Sequence, residues 1–86
     1  MDKELIDAIS FVQMSKYRIK VLIDLEDGLK IPSIIAESTN IRINHISRTL
    51  KELRDKNLVI VLNPDKKQGR LYQITSLGKQ VLKHIQ

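Results

Sequence analysis

The chain has 86 residues, with 15 Lys and Arg against 10 Asp and Glu, a net charge of +5, no cysteine, no tryptophan and a single phenylalanine. This excludes a disulfide framework and a thiolate metal site, and it points to one small domain over residues 1–86 with a thin core of Ile and Leu. No apolar run approaches the length of a membrane span, and the acid-bearing start "MDKELIDAIS" lacks the apolar stretch of a secretory signal, so a soluble, cytoplasmic protein is expected.

In chain order, residues 2–14 place Leu5, Ile6, Ile9 and Val12 at helical spacing, with Phe11 less neatly aligned. Ser15 is a fitting N-cap for a second helix, "KYRIKVLIDLED", with Tyr17, Val21, Leu22 and Leu25 on its apolar face and Gly28 as its stop. Leu29–Ile31 is long enough only for a stub of strand. Pro32 then opens a short helix, "PSIIAES", with Ile34, Ile35 and Ala36 expected inward, and Asn40 suits a left-handed turn. The most regular helix is "IRINHISRTLKELRDKN", whose Ile43, Ile46, Leu50 and Leu53 define a buried stripe before Asn57 offers a second left-handed cap. Two β-prone runs, "LVIVLN" and "RLYQIT", follow as an antiparallel hairpin. Thr75 or Ser76 caps the last helix, in which Leu77, Val81, Leu82 and Ile85 face one side and Gly78 weakens the first turn.

Charge is unevenly spread. Residues 1–41 carry five Lys and Arg against seven Asp and Glu, whereas residues 42–86 carry ten against three. A one-sided basic half is the footprint of a polyanion binder. The same half contains the second member of a helix pair joined by a short turn, the arrangement of a helix-turn-helix. Opposite its apolar stripe lie Asn44, Arg48, Lys51 and Asp55, flanked by His45 and Ser47. Asn and Arg make two-bond contacts to adenine and guanine, and Ser or His reaches a phosphate or base edge, so Asn44, His45, Ser47 and Arg48 are candidate readers of a major groove. Lys51 and Arg54 are candidate phosphate ligands.

Four stretches in sequence, "SKYRIKVLIDL", "IPSIIAESTNI", "INHISRTLKELRDKNLV" and "GRLYQITSLGKQVL", give the chain a resemblance to the winged helix-turn-helix transcription regulators of the MarR, ArsR and PadR kind, especially the small archaeal ones. The resemblance runs from about Ser15 to Val81. It implies a mostly α fold with a small β-hairpin wing (α+β) and double-stranded DNA as partner; the residues themselves suggest no cofactor. It also implies a role for the long hairpin tip "NPDKKQGR": Lys66, Lys67 and Arg70 would lie against the DNA backbone or the minor groove, with Gly69 giving the turn its freedom. Arg42, where the family often has a Ser or Thr cap, joins the candidate DNA contacts. The lost cap leaves Asn44 as an alternative cap for the helix, and Ile31 stands where a cap often precedes Pro32.

No His, Asp and Glu set has metal-ligand spacing, and no phosphate-cradling glycine loop or Ser/His/Asp set is visible, so neither a metal nor an enzyme activity is expected. His84 is read as a surface residue and the acidic "DLED" at 24–27 as a solvated turn. Tyr17 and Tyr72 are read as core or edge packing, since single-strand binders present more aromatics than this chain has. The terminal helices, residues 2–14 and 76–86, carry surplus apolar surface at Ile6, Ile9, Leu82 and Ile85 and are expected to join a homodimer, which would place two recognition helices about 34 Å apart. Little room is left for an effector pocket within one subunit. The rival functions are a winged-helix protein-interaction module and a non-specific architectural DNA binder.

Overall fold

The computed structural model describes residues 2–86. Five helices and one hairpin follow each other: α1 (Lys3–Gln13), α2 (Lys16–Leu25), α3 (Pro32–Thr39), α4 (Ile43–Asp55), β1 (Val59–Val61), β2 (Tyr72–Ile74) and α5 (Ser76–Ile85). Local chemistry explains most boundaries. Asp2, Ser15 and Thr75 each accept a backbone N–H in the first turn of α1, α2 and α5, satisfying donors that helix starts leave open. Pro32 occupies the first turn of α3, where its missing N–H costs nothing. Asn40 and Asn57 sit at φ 59° and 61°, so both turns use the left-handed conformation that Asn tolerates.

The hairpin is antiparallel, with Val59 opposite Ile74, Ile60 opposite Gln73 and Val61 opposite Tyr72. The strands are shorter than the β-prone runs around them, although Leu62 N–H still donates to Leu71 O at 2.9 Å. Lys30 pairs with the other edge of Tyr72, so the stub before α3 fastens the wing to the helical body.

One core links the elements. Val12, Val21, Leu22, Leu25, Ile35, Ile46, Leu50, Leu53, Leu58, Val59, Val81 and Leu82 are all nearly solvent-free, each worth about 1.5–3 kcal/mol of transfer free energy. Two expected core residues are not there. Ile34 and Ile43 are 46% and 49% exposed. Ile43 is the first residue of α4, and the buried stripe instead runs Ile46, Thr49, Leu50, Leu53, a rotation of about 30° at the helical period. Ile34 lies on the outer side of the short α3, where only Ile35 is fully buried.

Gly78 also departs from expectation. It is buried in α5, and a Cβ there would lie 2.6 Å from Leu58 O and 2.7 Å from Ile74 Cγ1. The glycine permits α5 to press against the base of the wing, so a packing requirement replaces the propensity defect.

The acidic turn is not simply solvated. Asp24 Oδ1 takes an ion pair from Lys30 Nζ at 2.8 Å, Asp24 Oδ2 accepts from Ser38 Oγ at 2.9 Å, and both members of the ion pair are largely shielded. Asp24 thus joins α2, the strand stub and α3. The hydrogen bond to Asp24 holds the Lys30 ammonium above the ordinary lysine value of 10.5 against the opposing effect of burial. A raised folded-state value adds stability that is complete below the unfolded value and is lost as pH climbs through the folded one. Lys30→Met is therefore expected to lower the melting temperature at neutral pH, with the gap from wild type closing in melts taken above pH 10.5. A gap that stays constant with pH would refute the ion-pair explanation.

Candidate nucleic-acid interface

The outward face of α4 is built by the stripe that buries its other side. With Ile46, Leu50 and Leu53 in the core, Asn44, Ser47, Arg48, Lys51 and Arg54 are left exposed. The rotation of the stripe leaves Asn44, Arg48 and Lys51 on the outer side. α4 begins at Ile43 with Arg42 in the cap position and no side-chain cap bond. Asn44 therefore lies inside the first turn and is not the cap, and the uncapped start costs about 1 kcal/mol. Arg42 contributes its carbonyl, which accepts from the His45 and Ile46 N–H groups at 3.0 Å, while its side chain stays exposed.

The wing tip is braced by its own side chains. Asn63 Oδ1 accepts the Leu71 N–H at 2.7 Å and its Nδ2 donates to Gly69 O at 3.2 Å, bridging the two arms where the ladder ends. Gly69 turns the chain at φ 68°. Arg70 Nε donates to Lys66 O at 2.6 Å and its Nη2 to Pro64 O at 3.4 Å. The Arg70 guanidinium is thus folded onto the loop it belongs to, whereas the Lys66 and Lys67 side chains are exposed.

Between α4 and the wing runs an open cleft of about 790 Å³. Ser47, Lys51 and Arg54 line one wall and Lys67, Gly69 and Arg70 the other, over a floor that includes Pro32, Ile43 and Tyr72. Four cations from segments about fifteen residues apart thus face one concavity, with Asp55 as the acidic member of the lining. Opposing walls of like charge focus an attractive field on a polyanion. The cleft is formed by residues of one chain. Arg42, Asn44, His45, Arg48 and Lys66 lie outside its lining, on the N-terminal part of α4 and at the tip of the wing.

Two supporting residues, Asn63 and Arg18, had no assigned role from sequence. Asn63 braces the wing; its position before Pro64 and Asp65 is an ordinary turn signal. Arg18 of α2 donates to Phe11 O at 2.7 Å, pairs with Glu52 of α4 at 3.2 Å and lies 3.7 Å over the Phe11 ring. It ties α1 and α2 to the back of α4, and no local pattern reveals a partner 34 residues away. Tyr17, expected in the core or at its edge, is 38% exposed and packs its ring on His45. Tyr72 is buried. His84 is exposed, with Nδ1 3.0 Å from Gln80 O.

Among the described residues, no group of three or more His, Cys, Asp and Glu could hold a metal ion, and no helix is long and apolar enough to cross a membrane.

Helices α3 and α4 with the following hairpin define a winged helix-turn-helix fold. Two solved structures share it. A mutant MarR from E. coli complexed with operator DNA matches with a TM-score of 0.74 and 24% sequence identity, over 96% of this chain and 61% of that one. The reduced form of MarR from E. coli matches with a TM-score of 0.65 and 20% identity, over 99% of this chain and 76% of that one. The chain therefore has the fold of MarR and spans about 61% of the length of the DNA-bound MarR chain. No family model matches the sequence, and no curated protein matches it either.

Proposed function

We propose that this chain binds double-stranded DNA sequence-specifically and acts in the cytoplasm as a transcriptional regulator. The observation that carries the reading is the single cleft in which Lys51 and Arg54 of α4 face Lys67 and Arg70 of the wing. The fold shared with a MarR complexed with operator DNA supports it. Of the regulators that the sequence resembles, MarR is thus the one with structural support. In this reading the N-terminal half of α4 enters the major groove, where Asn44, Ser47 and Arg48 meet base edges. Lys51, Arg54 and the wing lysines neutralise phosphates.

Binding to duplex DNA across a salt titration tests it, with wild type compared to Arg48→Ala. Affinity is expected to fall steeply with salt, and Arg48→Ala to cost about 1–3 kcal/mol on a selected duplex. Steep salt dependence without any selectable duplex would instead indicate an architectural binder. Absence of binding at low salt would exclude both and favour a protein-interaction module. One observation favours that second reading: Ile60 of β1 and Leu62 just after that strand are 44% and 46% exposed.

A homodimer through α1 and α5 belongs to the proposal in a reduced form. Leu82 is in the core of its own subunit, Ile9 and Ile85 are half-buried, and of these apolar positions on the terminal helices only Ile6, at 47% exposure, stands largely free. Ile6→Glu is expected to leave the fold intact and shift the mass measured by light scattering from two chains to one. An unchanged mass would show that Ile6 does not form the interface.

A further inference from the structure

Arg48 does not stand free on the outward face of α4. Its Nη2 lies 3.0 Å from Nδ1 of His45, one helical turn earlier. A guanidinium can only donate, so Nδ1 is the acceptor and the imidazole proton is on Nε2. The imidazole is backed in turn by Tyr17 of α2, with ring centroids 5.2 Å apart and planes tilted by 43°. His45 is half-buried, whereas Arg48 is exposed. The three side chains form a chain from the helical body to the recognition face.

We propose that His45 and Tyr17 are positioning residues that hold the Arg48 guanidinium toward the N-terminal end of α4, so that their contribution to sequence reading passes through Arg48. The inference rests on the DNA-binding reading above and assigns a division of labour within it. Side chains on a helix lean toward its N-terminus, which brings residue 48 over residue 45 without strain. That is the end of a recognition helix which meets base edges. An unrestrained arginine must give up its rotamer freedom on binding; one already hydrogen-bonded gives up less. The bond to Nδ1 occupies one donor and leaves the others for a two-bond contact to guanine O6 and N7. Tyr17 comes from a different helix, so the guanidinium is referenced to the scaffold as well as to α4. His45, with Nδ1 engaged, is a support in this arrangement and not an independent reader.

The test begins with a duplex selected by the wild-type protein from a random-sequence library. Affinities are then measured for that duplex and for each of its single-base-pair variants. The proteins compared are wild type, Arg48→Ala, His45→Leu, His45→Gln, Tyr17→Ala and the His45→Leu/Arg48→Ala double variant, each checked for an unchanged circular-dichroism spectrum. His45→Leu is expected to weaken binding about three- to tenfold, and to flatten discrimination only at the base pairs that Arg48→Ala flattens. His45→Gln, whose amide oxygen can accept the same bond, is expected to recover most of the loss. Tyr17→Ala should show the same base-pair signature more weakly. The double variant should bind no more weakly than Arg48→Ala alone, which is the coupling expected of residues acting through one contact. Additive losses, or flattening at a different base pair, would overturn the inference and make His45 a DNA contact in its own right. No loss in His45→Leu would overturn it as well. In both cases the DNA-binding reading would stand. If no duplex can be selected, or Arg48→Ala flattens nothing, sequence reading by Arg48 itself fails and the inference with it.

Discussion

Gly78→Ala is expected to destabilise the protein by about 1–3 kcal/mol, the usual range for an added methyl without space. Helix propensity alone gives the opposite sign, a gain of about 1 kcal/mol. The contact geometry decides between them. The new Cβ would lie 2.6 Å from Leu58 O, a backbone atom that already accepts the Thr75 N–H at 3.1 Å, and 2.7 Å from Ile74 Cγ1. Neither neighbour is the free end of a flexible side chain, so α5 must move away from the base of the hairpin. Urea denaturation measures the result: a lower midpoint with an unchanged slope is expected. A higher midpoint would mean that the close approach of α5 to the wing does not hold in solution. The same displacement is expected to weaken DNA binding, because Leu58 and Thr75 form the root of the wing.

Replacing Lys66 and Lys67 together by alanine is expected to reduce the slope of log affinity against log salt by about 2, since each phosphate that a lysine neutralises contributes nearly one unit to that slope. Discrimination among duplex sequences should be nearly unaffected, because phosphate contacts position the protein without reading bases. Arg70→Ala should behave differently. Its guanidinium is hydrogen-bonded to Lys66 O and Pro64 O, so its removal loosens the tip that carries both lysines. A salt slope unchanged in the double lysine variant would remove the wing from the interface and leave α4 as the only DNA-contacting element.

The two experiments address different parts of the same assembly. Gly78 governs where the wing is rooted, and Lys66 and Lys67 govern what its tip can hold. Arg18 has a comparable place behind α4, where its bonds to Phe11 O and Glu52 join three helices. The candidate interface is thus carried on elements whose relative placement is set by contacts far from it, as a rigid recognition surface requires.

The division between what was legible in sequence and what was not follows the range of the interactions. Helix starts at Ser15, Pro32 and Thr75 depend on groups within a few residues of each other, as do the left-handed turns at Asn40 and Asn57, and all are readable from the chain. The outward face of α4 was readable too, because three apolar residues at helical spacing are enough to orient a helix. Ile34 and Ile43 were misplaced because apolar character does not say which of several apolar residues a neighbouring element will cover. Asp24 became a structural anchor only once folding brought Lys30 and Ser38 to it. Gly78 became necessary only when α5 met Leu58 and Ile74. The chain by itself determined its elements, its apolar faces and the basic character of its second half, since these are properties of neighbours along the sequence. Tertiary structure alone decided that four cations share one cleft and that Tyr17 backs His45, since each needs residues distant in sequence to meet.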